Sequence, residues 1–360
     1  MFVSFEARKY MKQYILNRLA VILLTISIGF SAFSQDVHFS QFDAAPLFFN
    51  PAQTGLFDCH QRIIANVKGQ WSTYNSFMAS YDRPLSLFST PTGYFGAGAL
   101  VIADYAGETS YGNTLLKLMP AYHQNVMNSR LKLSIGLDIF MNYMSIDETK
   151  VLLGSGIDPN TGKVTPGADF DNSSKFYADL GVGTNAIYHI RPDFPISGGI
   201  TMYRLFGSGG GGIASNEAPT NYRRFSINAN SVIPVTEVIS FLPSLIYLNQ
   251  KKYNEINFGT YAMFSVGERT SVVDALYVGA WHRYGDAIIL GFAFDKTLSA
   301  KWAMNFGFSY DITVSQFRAT NKWQNTKNVG TDSFEFSIKF INCKIPLIVN
   351  PQGIINDPFR

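Results

Sequence analysis

The sequence predicts an all-β fold, a transmembrane antiparallel β-barrel of about 14 strands with both N- and C-termini in the periplasm. Three observations predict it. The first is a strict two-residue alternation. In residues 301–313, Trp302, Met304, Phe306, Phe308, Tyr310 and Ile312 alternate with Ala303, Asn305, Gly307, Ser309, Asp311 and Thr313. Successive side chains of a strand point to opposite faces, so one face is oily and aromatic and the other small or polar. The second is composition. The chain is 15% aromatic and only 15% charged, with 30 Phe, 19 Tyr and 30 Gly, which is rich in strand formers and poor in charge for a soluble domain. The third is the sorting of connections. Long ones, 145–174, 207–221 and 314–330, follow the fifth, seventh and thirteenth candidate strands and so leave from one end. The turns after even-numbered strands are short or moderate. A membrane barrel with periplasmic termini has short turns inside and long loops outside; a soluble sandwich has no reason to sort them.

Taken in order, residues 1–34 read as a secretory signal. Lys12 and Arg18 precede an apolar run from Leu19 to Phe30, and Ala32-Phe33-Ser34 supplies small residues for cleavage between Ser34 and Gln35. The run is too short for an ordinary membrane helix, and Met11 serves as an alternative start. No Cys follows the cleavage point, which argues against a lipid anchor. Cleavage removes four of the 29 basic and one of the 26 acidic residues and leaves a net charge near zero, which argues against a nucleic-acid partner. No later stretch approaches ~18 uninterrupted apolar residues, so helical spans are excluded.

Residues 35–58 alternate poorly and carry Pro46 and Pro51. They read as irregular chain, periplasmic or docked in the lumen, because Phe39, Phe42, Phe48 and Phe49 need burial. Residues 59–343 form the barrel and 344–360 a periplasmic tail. Candidate strands lie near 60–71, 74–83, 93–104, 113–124, 130–144, 175–190, 194–206, 222–234, 237–249, 254–267, 274–283, 285–295, 300–313 and 331–342. Trp71, Tyr74, Tyr143, Tyr188, Tyr203, Tyr247, Trp281 and Tyr310 lie near strand ends, where interfacial girdles belong. The alternation assigns Lys117, Lys132, Asp138, Asp179, Arg204, Arg224, Glu255, Asp311, Glu335 and Lys339 to the lumen. A fourteen-strand interior lies between the filled and the open size, so water or a plug must occupy it.

Chemistry is sparse. No nucleophile elbow, zinc motif, CxxC or phosphate loop occurs, and the run Gly209 to Gly212 lacks a following Lys-Ser/Thr, so it reads as a surface loop. Asp158, Asp169 and Asp171 do not match a calcium loop. His123 and His189 fall on lumen registers with Asp138 and Asp179, without a readable nucleophile–base pair. No catalytic, cofactor or metal residues are assigned.

The segment with His38-Phe39-Ser40-Gln41-Phe42, Pro46-Leu47 and Asn50-Pro51-Ala52 resembles the mature N-terminus of the PorP/SprF family. Ala79-Ser80-Tyr81-Asp82-Arg83-Pro84, the region 278–292, Tyr310-Asp311-Ile312-Thr313 and the strand 333–340 followed by Asn342-Cys343 match it in the same order. Phe334 departs from it, where the family often has His before Glu. The resemblance implies an outer-membrane barrel that assists type IX secretion, or surface retention of a secreted protein such as an adhesin in gliding bacteria. It also implies periplasmic partners from that machine. A diffusion porin is the alternative.

Cys59 precedes the first strand and Cys343 follows the last. Closure makes those strands neighbours, and an oxidising periplasm permits a bridge. A disulfide is therefore expected, with two buried thiols as the alternative.

Overall fold

The computed structural model describes residues 38–71, 74–85, 90–107, 111–147, 150, 174–207, 214–215, 222–266, 272–315 and 332–343. Its strands are β1 (Gln61–Gln70), β2 (Tyr74–Leu85), β3 (Gly93–Ala106), β4 (Tyr111–Val126), β5 (Leu131–Ser145), β6 (Ser174–Arg191) and β7 (Phe194–Tyr203). They continue as β8 (Arg224–Ser231), β9 (Ile239–Gln250), β10 (Tyr253–Ser265), β11 (Ala275–Arg283), β12 (Ala287–Thr297), β13 (Trp302–Thr313) and β14 (Ser333–Asn342). Each pairs antiparallel with its sequence neighbours, and β14 pairs with β1 from Gln61↔Asn342 to Gln70↔Ser333, so the ring is closed. Two further strands of two residues, Ala214–Ser215 and Ile233–Pro234, lie against β6 and β9. Closure matters because a sheet edge in lipid would leave backbone N–H and C=O groups unpaired. Among the described residues, no helix is long and apolar enough to cross a membrane.

The alternation sets the two faces. In β13 the residues from Ala303 to Thr313 on odd positions are buried, while Phe306 and Phe308 look outward. Phe336 of β14 is 42% exposed on the outer face, and Asp311 on the inner face only 1%. Phe306, Phe308 and Phe336 pack as an outer aromatic patch, with Phe308 and Phe336 centroids 4.9 Å apart. Two of the expected girdle residues point the other way. Tyr203 and Trp281 are buried in the lumen. Trp281 packs on Tyr261 and donates to the Ser244 hydroxyl at 2.8 Å. Both rings carry a polar tip that a lumen can satisfy, and nearness to a strand end does not settle which face is used.

The stretch ahead of β1 is largely irregular chain interrupted by two short turns. Residues Pro46–Phe49 form a single helical turn, α1, and Pro51–Gln53 a 3-10 turn. Pro46 and Pro51 each begin a turn, where the fixed φ suits the geometry and no N–H is missed. Asn50 separates them. Its N–H donates to the Pro46 carbonyl, and its side-chain oxygen accepts from Ala52 N at 2.9 Å. One turn is too short to show a 3.6-residue period, which is why periodicity does not reveal it.

This segment fills the lumen. Phe39, Leu47, Phe48 and Phe49 are buried with wall residues Met78, Leu100, Met119 and Ile246. Their rings meet edge to face, with Phe39–Phe48 at 5.3 Å and Phe48–Phe49 at 5.0 Å. The docked segment reaches both mouths. His38 bonds to Glu255, near the start of β10, and Ser40 bonds to Asp311, near the end of β13. Both strand ends lie at the opposite mouth, from which the long connections leave. The segment thus crosses the barrel before β1 begins. The strand ends at Gln61 and Asn342 share one mouth as expected, but the start of the described chain does not: His38 lies at the other. At that mouth His38 and Ser40 meet the buried charged wall groups Glu255, Asp311, Lys68 and Arg283.

Candidate functional site: the plugged lumen

The plug is held at several heights, each time by a polar plug atom facing an inward wall residue. Near the long-loop mouth, Ser40 sits among four charged groups. Its Oγ donates to Asp311 Oδ2 at 2.6 Å and accepts from Lys68 Nζ at 2.7 Å and Arg283 Nη2 at 3.0 Å. Its backbone N–H donates to Glu335 Oε2 at 2.6 Å. Lys68 and Arg283 also reach Asp311 directly, at 3.3 Å and 3.0 Å. Glu335 accepts from Asn66 Nδ2 at 3.0 Å. Gln41 lies one step deeper, donating to the Glu335 carbonyl and accepting from Ser337 Oγ. His38 Nδ1 meets Glu255 at 2.9 Å, and Glu255 also accepts from Tyr253.

At mid-height Asn50 Nδ2 donates to the Thr184 carbonyl and to Asn228 Oδ1. The wall has to recede here: a Cβ on Gly136 would overlap the Pro51 carbonyl and Ala52 N, and one on Gly183 would overlap the Asn50 side chain. Towards the Cys59 mouth, the Thr54 carbonyl accepts from His123 Nε2 at 2.8 Å, which leaves Nδ1 of a neutral ring to accept from Ser134. Gly55 N donates to Asp82, which is paired with Arg62 at 2.8 Å. Arg62 in turn covers the Phe57 ring.

The lumen charges assigned from sequence divide between two roles. Asp311 and Glu335 touch the plug directly. Arg224 does so through the Phe48 carbonyl at 3.4 Å and stacks on Phe48 and Tyr203. Lys132 meets Asp58 at 3.6 Å. Asp138 pairs with Lys117 at 2.7 Å, within the wall. Asp179 turns back on its own strand end, accepting from Leu180 N and Phe206 N. Lys339 is buried beside Asn305 and Asp43 in a hollow towards the Cys59 mouth. Arg204 has left the strand, with φ 60, and donates to the Tyr222 carbonyl at 3.4 Å. His189 lies at the Cys59 mouth near Arg130 and Lys132, apart from Asp138 and Asp179. Sequence reasoning missed Arg62, Lys68 and Arg283. The signal was present: Arg62, Ile64, Asn66 and Lys68 are buried on one inward face of β1.

Of the residues carrying the family resemblance, His38, Phe39, Ser40, Gln41, Phe42, Asn50 and Pro51 belong to the plug. Tyr310 faces outward and donates to Asp332, while Asp311 and Thr313 face inward. Cys59 and Cys343 are bonded, with Cα atoms 4.4 Å apart. Residues 1–37, including Ser34 and Gln35, lie outside the described residues, as do the tail 344–360, Asp158, Asp169, Asp171 and the run 209–212. Among the described residues, no group of three or more His, Cys, Asp or Glu could hold a metal ion.

A closed ring of fourteen antiparallel strands, aromatic outside and polar inside, with its own N-terminal segment seated in the lumen, defines a plugged outer-membrane β-barrel. The structure is similar to the Ralstonia pickettii toluene transporter TbuX, with a TM-score of 0.52 and 11% identity over 88% of this chain and 96% of that one. It is also similar to the Pseudomonas putida toluene transporter TodX, with a TM-score of 0.51 and 9% identity over 87% and 99%. Likeness at such identity shows the fold alone. No curated protein matches. A family model described as type IX secretion system membrane protein PorP/SprF matches residues 31–339, and the chain belongs to that family. Fold and family together make it a protein of the bacterial outer membrane.

Proposed function

We infer that this barrel works by contact, neither conducting solutes nor catalysing a reaction. It assists type IX secretion, or surface retention of a secreted protein such as an adhesin, as a gliding bacterium requires. In this reading the Cys59–Cys343 mouth faces the periplasm, after signal cleavage between Ser34 and Gln35, and meets periplasmic components of the machine. The long-loop mouth faces outward and meets the secreted client. The observation that carries the reading is the plug of a type IX family barrel, anchored through Ser40, Asn50, Thr54 and Gly55 from one mouth to the other. Displacing this seal would strand buried charges such as Asp311, Lys68 and Arg283, which favours a closed barrel over an open diffusion pore. Ser40, Lys68 and Asp311 have the residue types of a nucleophile with its base, but Ser40 Oγ is bonded to three charged side chains and buried. Their role is to hold the plug.

Affinity capture of the protein from outer membranes tests the reading. Type IX components and a secreted surface protein should co-purify. An open, ohmic single-channel conductance from the purified barrel, with no co-purifying secretion component, would replace it with the porin.

A further inference from the structure

Towards the Cys59 mouth, plug and wall surround a hollow of about 600 Å³, counted with its part open to solvent. Lys339 of β14 and Asp43 of the plug both line it. Lys339 is 5% exposed and Asp43 is half-buried. Among the described residues, neither makes a hydrogen bond or a direct ion pair. They feel each other's charge without touching. Asp295 and Arg62 also act on Lys339. Asp295 lies outside the lining and accepts from Tyr277 Oη at 2.6 Å and Asn305 Nδ2 at 2.7 Å, and Arg62 is paired with Asp82. A buried charge without a partner is costly. Here a cation on the wall and an anion on the plug are left so across one space. The apolar part of the lining is aromatic. Trp281 and Tyr261 meet edge to face with centroids 4.4 Å apart, and Phe42 of the plug packs beside them. A Cβ on Gly259 or Gly279 would overlap the indole, so the ring lies back against bare wall instead of filling the hollow. Asn230, in the same lining, has a buried side-chain oxygen with no hydrogen-bond partner.

These groups name a chemistry that carries both charges. A pure anion would meet Lys339 but also Asp43, and a pure cation the reverse. A zwitterion satisfies both at once, and its ammonium has a further N–H for the Asn230 oxygen. The aromatic lining takes an apolar body joined to those charges. We propose that this hollow binds a free α-amino acid with an aromatic side chain. Its carboxylate meets Lys339, its ammonium meets Asp43, and its side chain lies against Trp281 and Tyr261. The proposal stands whether or not the secretion role does.

Calorimetric titration of the full detergent-purified protein tests it, with phenylalanine, N-acetyl-phenylalanine, phenylalanine amide and phosphoethanolamine. The acetyl form lacks the ammonium and the amide lacks the carboxylate, so each should bind about tenfold or more weakly than phenylalanine. Phosphoethanolamine keeps both charges without an apolar body and should also bind more weakly. The variants pair with the ligands. Lys339→Met should weaken phenylalanine about tenfold and leave the amide unchanged. Asp43→Asn should weaken phenylalanine alike and leave the acetyl form unchanged. A merely structural role would move every ligand together. Asp43 lies on the plug, outside the strands, so its variant keeps the test sound if Lys339→Met fails to fold. Heat-modifiable migration reports the folded barrel. No heat from phenylalanine, equal binding of its masked forms, phosphoethanolamine binding as tightly, or phenylalanine binding untouched in either folded variant would overturn it.

Discussion

Replacing Asp311 by Asn keeps the shape of the side chain and removes the charge at the centre of the plug's upper anchor. Lys68 and Arg283 approach the lost carboxylate at 3.3 Å and 3.0 Å, and all three side chains are almost fully buried. Removing one partner of a buried ion pair costs about 3–5 kcal/mol, because the other charge stays buried and uncompensated. Arg283 retains Asp286 at 3.1 Å and Glu255 at 3.5 Å, which puts the expected cost at the low end, about 3 kcal/mol. The ladder itself is unaffected, since Asp311 pairs with Ile289 and Ser333 through its backbone. The cost therefore falls on seating the plug and shifts the seated-to-released ratio by about two orders of magnitude. Amide exchange over residues 38–57 of the folded protein in micelles should speed up accordingly, and planar-bilayer recordings should show more frequent openings. Adding Lys68→Met, which removes the stranded cation, should restore part of the protection. A folded Asp311→Asn barrel with unchanged exchange and unchanged conductance would refute the anchoring role.

Four further outcomes are expected. Phe336→Arg places a charge on the lipid face and should cost up to roughly 2–4 kcal/mol near the bilayer midplane, read as a lower urea midpoint in vesicles; an unshifted midpoint would contradict the assigned faces. Gly136→Ala should push Pro51 and Ala52 off the wall and raise exchange at Asn50–Thr54 selectively, whereas unchanged exchange would show that the wall can yield. Thiol labelling of denatured, unreduced protein should find no free thiol, and two per chain would reject the bridge. The loop closed by that bridge spans a sequence separation of 284, so the entropic ceiling on its stabilisation is roughly 5 kcal/mol, less in a barrel already closed by hydrogen bonds. Epitope tags near Gly162 and Gly210 should be accessible on intact cells, and so should a tag placed just after Gln35, since His38 lies at that mouth; an N-terminal tag reached only after the outer membrane is opened would exclude the crossing path.

The ring and its two faces were legible because they depend on a local, repeated signal. A period of two needs only a few residues to declare itself, and one face of each strand must suit lipid. That is enough to place Phe306 and Phe336 outside and Asn305 and Glu335 inside. It fails where a residue suits either face. Tyr203 and Trp281 have apolar bodies and polar tips, so residue type does not decide between interface and lumen. The path of the plug was illegible for another reason. Residues 38–57 have no period to read, and their order comes from partners far along the chain, such as Thr54 with His123 and Asn50 with Thr184 and Asn228. Composition told only that Phe39, Phe48 and Phe49 need cover, not how deep they travel.

The two halves of the family resemblance meet in space. Ser40 belongs to the N-terminal motif and Asp311 to the Tyr-Asp-Ile-Thr motif, and the hydrogen bond between them spans 271 residues of sequence. Asp82, from the Ala-Ser-Tyr-Asp motif, caps Gly55 of the same plug. Glu335, from the last strand, holds the Ser40 backbone. Motifs that look unrelated when read along the chain are thus opposite sides of one plug–wall interface. They need fixed residue types because each buried charge must find its partner: a carboxylate at 311 is useful only with Lys68, Arg283 and the Ser40 hydroxyl around it. The family pattern therefore records how the plug is held against the barrel wall.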